Sequence, residues 1–225
     1  MRLKAIHKIE GIIVCVGNTH IGGNKDSLEI QSMGSPVVKH PINGEPYIPG
    51  SSLKGKMRST MELLAGKTDV CNCGGMDASG KKCMVCIAFG SFRNQDTGPT
   101  RLIVRDSPLT ENTREEYGRF VQDQNKSYFG VKMENKVDRK TGRAMHPRTI
   151  EFVAAGAEFN MELVLQEYEG DVIDDMINFV KKALKGVEET YLGGQGSRGY
   201  GKVRFKDLSL DGNPFIIEDV QLGEV

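Results

Sequence analysis

Apolar positions recur along this chain with two periods, and the switch between them outlines its elements. Residues 3–17 are rich in Ile and Val with loose alternation, which predicts a strand. Leu53, Met57, Met61 and Leu64 recur at helical spacing, with Gly66 beyond them as a C-terminal cap, so a helix is predicted over 51–65. It is entered through Pro46, Pro49 and Gly50, with Ser51 as its candidate N-cap. A further strand is expected at Arg101–Asp106. Phe159, Met161, Leu163 and Leu165 alternate as in a half-buried strand. Ile173, Met176, Ile177, Val180 and Leu184 then mark a helix expected to close at Gly186. Val203 and Phe205 resume the alternation, the phase slips near Lys206-Asp207, and Leu208 and Leu210 continue it. A bulge explains the slip.

Less patterned stretches separate these elements. Ile21 to Lys39 reads as a long loop with short strands, and 67–88 as a cysteine-bearing insertion. Residues 111–150 are polar, basic and weakly periodic, with Thr141-Gly142 suited to a hairpin tip. The order is strand, loop, helix, insertions, strand, helix, loop, strand. It suits an α+β fold: a ferredoxin-like (RRM-like) βαββαβ core with insertions and helices on one face. One domain is expected, with core segments 1–66, 101–110 and 151–212, a cysteine insertion at 67–90, a basic region at 111–150 and an acidic tail at 213–225. Such a core hosts many functions and decides none.

Composition narrows the setting. The chain has 225 residues, 38% of them hydrophobic, enough to bury a sizeable core. Neither an 18-residue apolar run nor a signal peptide is present, so a soluble, cytoplasmic protein without a membrane partner is expected. The net charge is zero, yet the charges are segregated. Eight acids and no Lys or Arg lie between Glu151 and Asp175. Six Lys or Arg against two acids, plus His146, lie between Lys132 and Arg148. A split of this kind lets one face hold an anion while another stays acidic.

Cys71, Cys73, Cys83 and Cys86 form C-x-C-x9-C-x2-C. Paired thiolates across a short loop are the usual construction of a tetrahedral zinc site, structural because four thiolates leave no open position. A disulfide pair and an iron–sulfur cluster are the rival readings. Cys15, in the first strand, reads as a buried apolar residue.

Residues 193–202 hold five glycines with Ser197, Arg198, Tyr200 and Lys202. Gly194, Gly196 and Gly199 match G-x-G-x-x-G, but a helix precedes them where a strand belongs. Gly196 to Lys202 match G-x-x-x-x-G-K, but Val203 stands where Ser or Thr is required. What survives is a backbone able to approach an anion beside two cations. A second such segment is the start of the 51–65 helix. Its free N–H groups suit an anion, and Ser51, Lys54 and Arg58 share one face. A row of hydroxyl and cations fits a polyphosphate chain better than one small anion.

Taken together, Ile48-Pro49-Gly50-Ser51-Ser52-Leu53-Lys54-Gly55-Lys56 and Gly193 to Val203 resemble the RAMP superfamily of CRISPR effectors. The likeness is greatest to the backbone subunits of type III-A Csm complexes. Thr19-His20-Ile21-Gly22-Gly23, Ser35-Pro36-Val37-Val38-Lys39, Lys132 to Arg139 and Pro147-Arg148 agree with it, so it runs from the first strand to about residue 210. The resemblance implies copies stacked along a guide CRISPR RNA, with target RNA and other Csm subunits as further partners. By motif, His20, Ser51, Ser52, Lys54, Lys56 and Arg58 would hold guide phosphates and sugars, as would Gly193, Gly194, Gly196, Ser197 and Arg198, with Lys202 beside them. The basic stretch with Lys132, Asn135, Arg139 and Arg148 resembles the family's β-hairpin thumb. Backbone contacts of this kind carry affinity without sequence information.

One departure stands out. Members of the family that cut target RNA carry Asp immediately before Ser-Pro-Val, and here that place is Gly34. Attack by a ribose hydroxyl needs a metal, a base or positioned charge at the scissile phosphate, and glycine supplies none. The leading expectation is an RNA-binding subunit that does not cut. A second is a divalent-metal-dependent endoribonuclease using another carboxylate such as Asp26. A third, independent of the resemblance, is a zinc-stabilised mononucleotide-binding domain.

Overall fold

The computed structural model describes residues 1–23, 35–76, 80, 82–92, 97–124 and 129–223. In chain order the elements are β1 (Leu3–Cys15), β2 (Tyr47–Ile48), α1 (Gly50–Leu64), α2 (Met84–Phe89), β3 (Leu102–Val104) and β4 (Ser107–Pro108). They continue with α3 (Glu111–Gln124), β5 (Phe129–Val137), β6 (Ala144–Val153), β7 (Glu158–Tyr168), α4 (Ile173–Glu189), β8 (Val203–Leu210) and β9 (Asn213–Pro214). Five strands form one sheet in the order β3-β7-β1-β8-β9, every neighbouring pair antiparallel.

The expected periodicities are what build the core. Phe159, Met161, Leu163 and Leu165 of β7 are buried with Ile9 and Ile13 of β1 and Val203 and Phe205 of β8. Leu53, Met57 and Met61 of α1, fully buried, join Met176, Val180, Leu184 and Val187 of α4 in the same cluster. Each such side chain removed from water contributes about 1.5–3 kcal/mol before entropy is charged against it. The phase slip in β8 is a bulge: the register with β1 shifts between Glu10 and Ile12, and Asp207 turns to φ 53°.

Three local expectations need correction. α4 does not close at Gly186 but runs on to Glu189. A Cβ at Gly186 would lie 2.5 Å from Thr60 Cγ2, so the glycine serves the close packing of α4 on α1. α1 begins at Gly50, with Ser51 inside its first turn and no side-chain cap bond. Asp106 takes that role from beyond β3, its Oδ1 accepting the Gly50 N–H at 2.8 Å. Finally, within the weakly periodic stretch, 111–124 is a helix that the sequence did not announce. Its sequence is too polar for an apolar stripe to announce it, but the Thr110 hydroxyl accepts the Thr113 N–H at 3.3 Å in the manner of a cap.

β5 and β6 pair as a separate antiparallel hairpin. Its tip is the expected one: Asp138 Oδ1 accepts the N–H groups of Lys140 and Thr141, and Gly142 sits at φ 69°. Among the described residues no helix is long and apolar enough to cross a membrane.

Candidate nucleic-acid interface and metal centre

The glycine loop is fixed in place by close backbone contacts. The Gly194 N–H donates to the His20 carbonyl at 2.7 Å, and a Cβ on Gly193 would lie 2.4 Å from that same oxygen. At Gly196 a Cβ would fall 2.1 Å from Tyr191 Cγ, so the turn at Gly196–Arg198 lies against the tyrosine ring. Larger residues would lift the loop off both.

Tyr191 also ties the loop to α1. Lys56 Nζ stands 3.8 Å from its ring centroid, and burial holds that ammonium below its ordinary pKa. Lys54 is half-buried on α1, its pKa lowered by burial and then by Arg58. Ser51 is exposed and Ser52 half-buried. The helix start is less open than the sequence implies, because the Asp106 carboxylate already occupies the Gly50 N–H.

The basal half of the hairpin joins the same site. Lys132 Nζ lies 5.7 Å from the Tyr200 ring centroid, and Phe152 meets that ring edge-on at 6.0 Å. Glu134 Oε2 accepts from Arg148 at 2.9 Å and lies 3.9 Å from Arg198 Nη1. Arg198 also donates to Gln195 Oε1. Tyr200 is buried, its hydroxyl lacks a hydrogen-bond partner among the described residues, and burial and then Glu134 raise its pKa. Further out, Asn135 and Arg139 are exposed, as is Ser197 on the loop.

His20 is buried rather than presented. Its Nδ1 faces the Glu151 carbonyl at 2.7 Å, and since a carbonyl only accepts, Nδ1 carries the proton. Glu151 organises the neighbouring segment: its Oε2 accepts the Val37 N–H and its Oε1 the Lys39 ammonium, each at 2.9 Å. Ser35 bridges to Ile150 of β6, and its carbonyl accepts the Glu151 N–H at 3.1 Å. The chain just after position 34 is thereby laid along the hairpin base. Gly34 and Asp26 themselves lie outside the described residues.

Two of the expected contact residues form bonds within the chain. Lys202 Nζ donates to the Glu188 carbonyl at 2.8 Å, capping the end of α4. Arg58 binds Glu62 and the Cys71 carbonyl, at 2.8 and 2.7 Å. Sequence reasoning missed Tyr191, Glu134 and Phe152 as organisers. Only Glu134 left a signal, as one of two acids in a basic run, which hairpin pairing sets opposite Arg148.

The four cysteines converge as expected, their sulfurs all within 4.8 Å of one another. Cys71 stands 3.5–3.6 Å from Cys73, Cys83 and Cys86, and Cys73 stands 3.5 Å from Cys86. None of these pairs stands at the roughly 2.05 Å of a disulfide, and all four cysteines are free. Zinc–sulfur bonds of about 2.3 Å in a tetrahedron set sulfurs roughly 3.8 Å apart, so the set is close enough to hold a metal ion. Lys67 Nζ donates to Cys71 Sγ at 2.7 Å and to Cys83 Sγ at 3.1 Å. Burial pushes the Cys71 thiol up, but Lys67 and the Cys73 N–H outweigh it and bring it down to about 7. Cys15 is buried and its thiol pushed up to about 11 by burial, consistent with an inert apolar role.

The comparisons with known proteins agree with this architecture. The family model for the RAMP superfamily matches residues 13–204. The CRISPR system Cms endoribonuclease Csm3 of Methanothermobacter thermautotrophicus is 38% identical, over 95% of this chain and 89% of that protein. The protein of the same name from Methanocaldococcus jannaschii is 35% identical, over 93% and 82%. A crystal structure of the Csm3-Csm4 subcomplex in the type III-A CRISPR-Cas interference complex superposes with a TM-score of 0.59 at 29% identity, covering 93% of this chain and 80% of that one. The chain belongs to the RAMP superfamily and, within it, to the Csm3 family.

Proposed function

We propose that this chain is a guide-RNA-binding backbone subunit of a type III-A CRISPR (Csm) antiviral effector complex in the cytoplasm. Copies of it would stack along the guide CRISPR RNA, beside other Csm subunits, and position target RNA. The observation that carries this is the convergence of three segments distant in sequence. Arg198 on the glycine loop and Lys132 and Arg148 on the hairpin gather at Tyr200 and Glu134, and Lys56 of α1 meets the same loop through Tyr191. Cations and close-lying backbone suit a strand whose sequence is read by pairing. The Csm3-Csm4 subcomplex supports the association with other Csm subunits.

The sheet order β3-β7-β1-β8, with α1 after the first of these strands in the chain and α4 after the third, supports the ferredoxin-like βαββαβ core. The division into core, cysteine insertion, hairpin thumb and acidic tail follows from it. Zinc is the ion we assign to the four cysteines. When bound, it would supply a structural crosslink in place of the core that so short an insertion cannot form.

With Gly34 in place of the family's Asp, the subunit would bind target RNA without cutting it. The test is the assembled complex, loaded with guide and given complementary RNA and a divalent metal. Retained binding with intact target is expected; cleavage at regular spacing would overturn the inactive reading. Gain of cleavage in Gly34→Asp would show the remaining site to be competent. The endoribonuclease names of the relatives favour a second reading, an active enzyme using Asp26. In that case the unmodified complex cuts, and Asp26→Ala abolishes cutting.

A further inference from the structure

The motif places Arg58 in an RNA-facing row with Ser51 and Lys54, but its bonds lead in another direction. Arg58 Nε donates to Glu62 Oε1 at 2.8 Å, and its Nη2 donates to the Cys71 carbonyl at 2.7 Å. The same Glu62 oxygen accepts the Cys71 N–H at 2.8 Å. One turn of α1 therefore grips Cys71 by both its N–H and its C=O, using side chains four residues apart. The pair is sheltered, with Glu62 only 7% exposed, so these charge-assisted bonds are little weakened by water. Lys67, just past the helix, reaches the sulfurs of Cys71 and Cys83. A divalent ion in four thiolates carries a net charge of about −2, which an adjacent ammonium offsets in part. Outer partners that hold a ligand's backbone and balance its charge set its orientation toward the ion.

We infer that Arg58 and Glu62 are positioning residues of the four-cysteine metal centre, and that Arg58 is not an RNA contact. The inference rests on the reading that the four cysteines hold an ion. It means that the centre is pinned directly to the helix that carries Lys54 and Lys56, so that disorder in one is felt by the other.

The test uses the full chain and the variants Arg58→Ala, Arg58→Lys and Glu62→Gln. Zinc affinity is measured by competition with a chromophoric chelator, and the thiolate environment by the absorption spectrum of the cobalt(II) form. Arg58→Ala is expected to lower zinc affinity about 10–100-fold and to shift the cobalt–thiolate bands. Arg58→Lys should recover only part, because an ammonium lacks the planar fork that spans Glu62 and the Cys71 carbonyl. Guide-RNA affinity plotted against salt should keep the wild-type slope in Arg58→Ala, whereas removal of a phosphate partner would flatten it by about 0.7. Zinc affinity of Arg58→Ala within about twofold of wild type overturns the inference, as does that flattened slope. If Arg58→Ala does not fold, unchanged affinity and cobalt spectra in both other variants overturn it equally. A wild-type chain that takes up no ion defeats the metal reading itself; normal uptake by wild type and variants alike defeats only the positioning role.

Discussion

In the hairpin of β5 and β6, Lys136, Arg139, Lys140 and Arg143 all stand exposed. In the acidic run that follows, Glu151, Glu158, Glu162, Glu167 and Asp171 are each paired with a cation from a distant segment. β1 lies beside β7 and brings Lys4 and Lys8, β8 brings Lys206, and the approach to β3 brings Arg101. Two charge runs that look equivalent in sequence therefore differ in kind. The acidic one is largely consumed in ion pairs with distant segments, and most of the basic one stays exposed. A run projects a field only where the fold leaves it unmatched.

The sharpest way to break this contrast is at its most buried pair. Arg101 and Asp171 have side chains 3% and 9% exposed, and removal of one strands the other. Asp171→Ala should cost about 3–5 kcal/mol, which lowers the melting temperature by on the order of 10 °C. A loss under about 1 kcal/mol in a thermal melt would place the acidic run among ordinary surface charges. Glu151→Ala should cost less, about 2 kcal/mol, because Lys39 can turn to water while the Val37 N–H loses its acceptor. Chemical denaturation, read at constant m, measures it.

On the other side, Lys136→Ala combined with Arg139→Ala should leave stability within about 0.5 kcal/mol. The same pair should flatten the salt dependence of RNA binding by roughly 0.7 for each phosphate no longer neutralised. Measurable destabilisation with an unchanged slope would reverse the roles of the two runs.

The smallest effect concerns pH. His7 Nδ1 lies 2.7 Å from Asp211 Oδ2 and its Nε2 3.4 Å from Glu167 Oε2. The Asp211 hydrogen bond leads in raising its pKa, against burial, with Glu167 adding to it. A raised histidine contributes stability that is complete below about pH 6.5 and is lost as pH rises through the folded-state value. Glu167 and Asp211, both held down, stay ionised throughout that window and lose their contribution only as pH falls through the carboxylate range. Wild type should therefore lose melting temperature between roughly pH 6 and roughly pH 8 relative to His7→Gln. Parallel pH profiles would remove His7 from the contrast.

Much of this molecule was legible from spacing alone. β1, α1, β7, α4, the bulge in β8, the hairpin tip and the convergence of Cys71, Cys73, Cys83 and Cys86 all follow from local periodicity, turn chemistry or ligand spacing. Those signals act over a few residues, so they survive without knowledge of the fold. The two halves of the candidate RNA cradle, α1 and the glycine loop, were likewise visible as separate segments.

Tertiary structure alone decided how individual side chains are used. α3 had too few apolar residues to announce itself, and Gly186 was spent on helix packing rather than on a helix end. Asp106 capped α1 from another element, Lys202 reached the end of α4, and Arg58 reached the Cys71 carbonyl. Five of the acids of 151–175 found cations on distant segments. A hydrogen bond or ion pair is settled within about 3–4 Å, and what comes within that reach is set by strand register and helix packing across long sequence separations. Sequence therefore determines which elements form and which chemistry they carry, while the packed fold assigns each charge its partner.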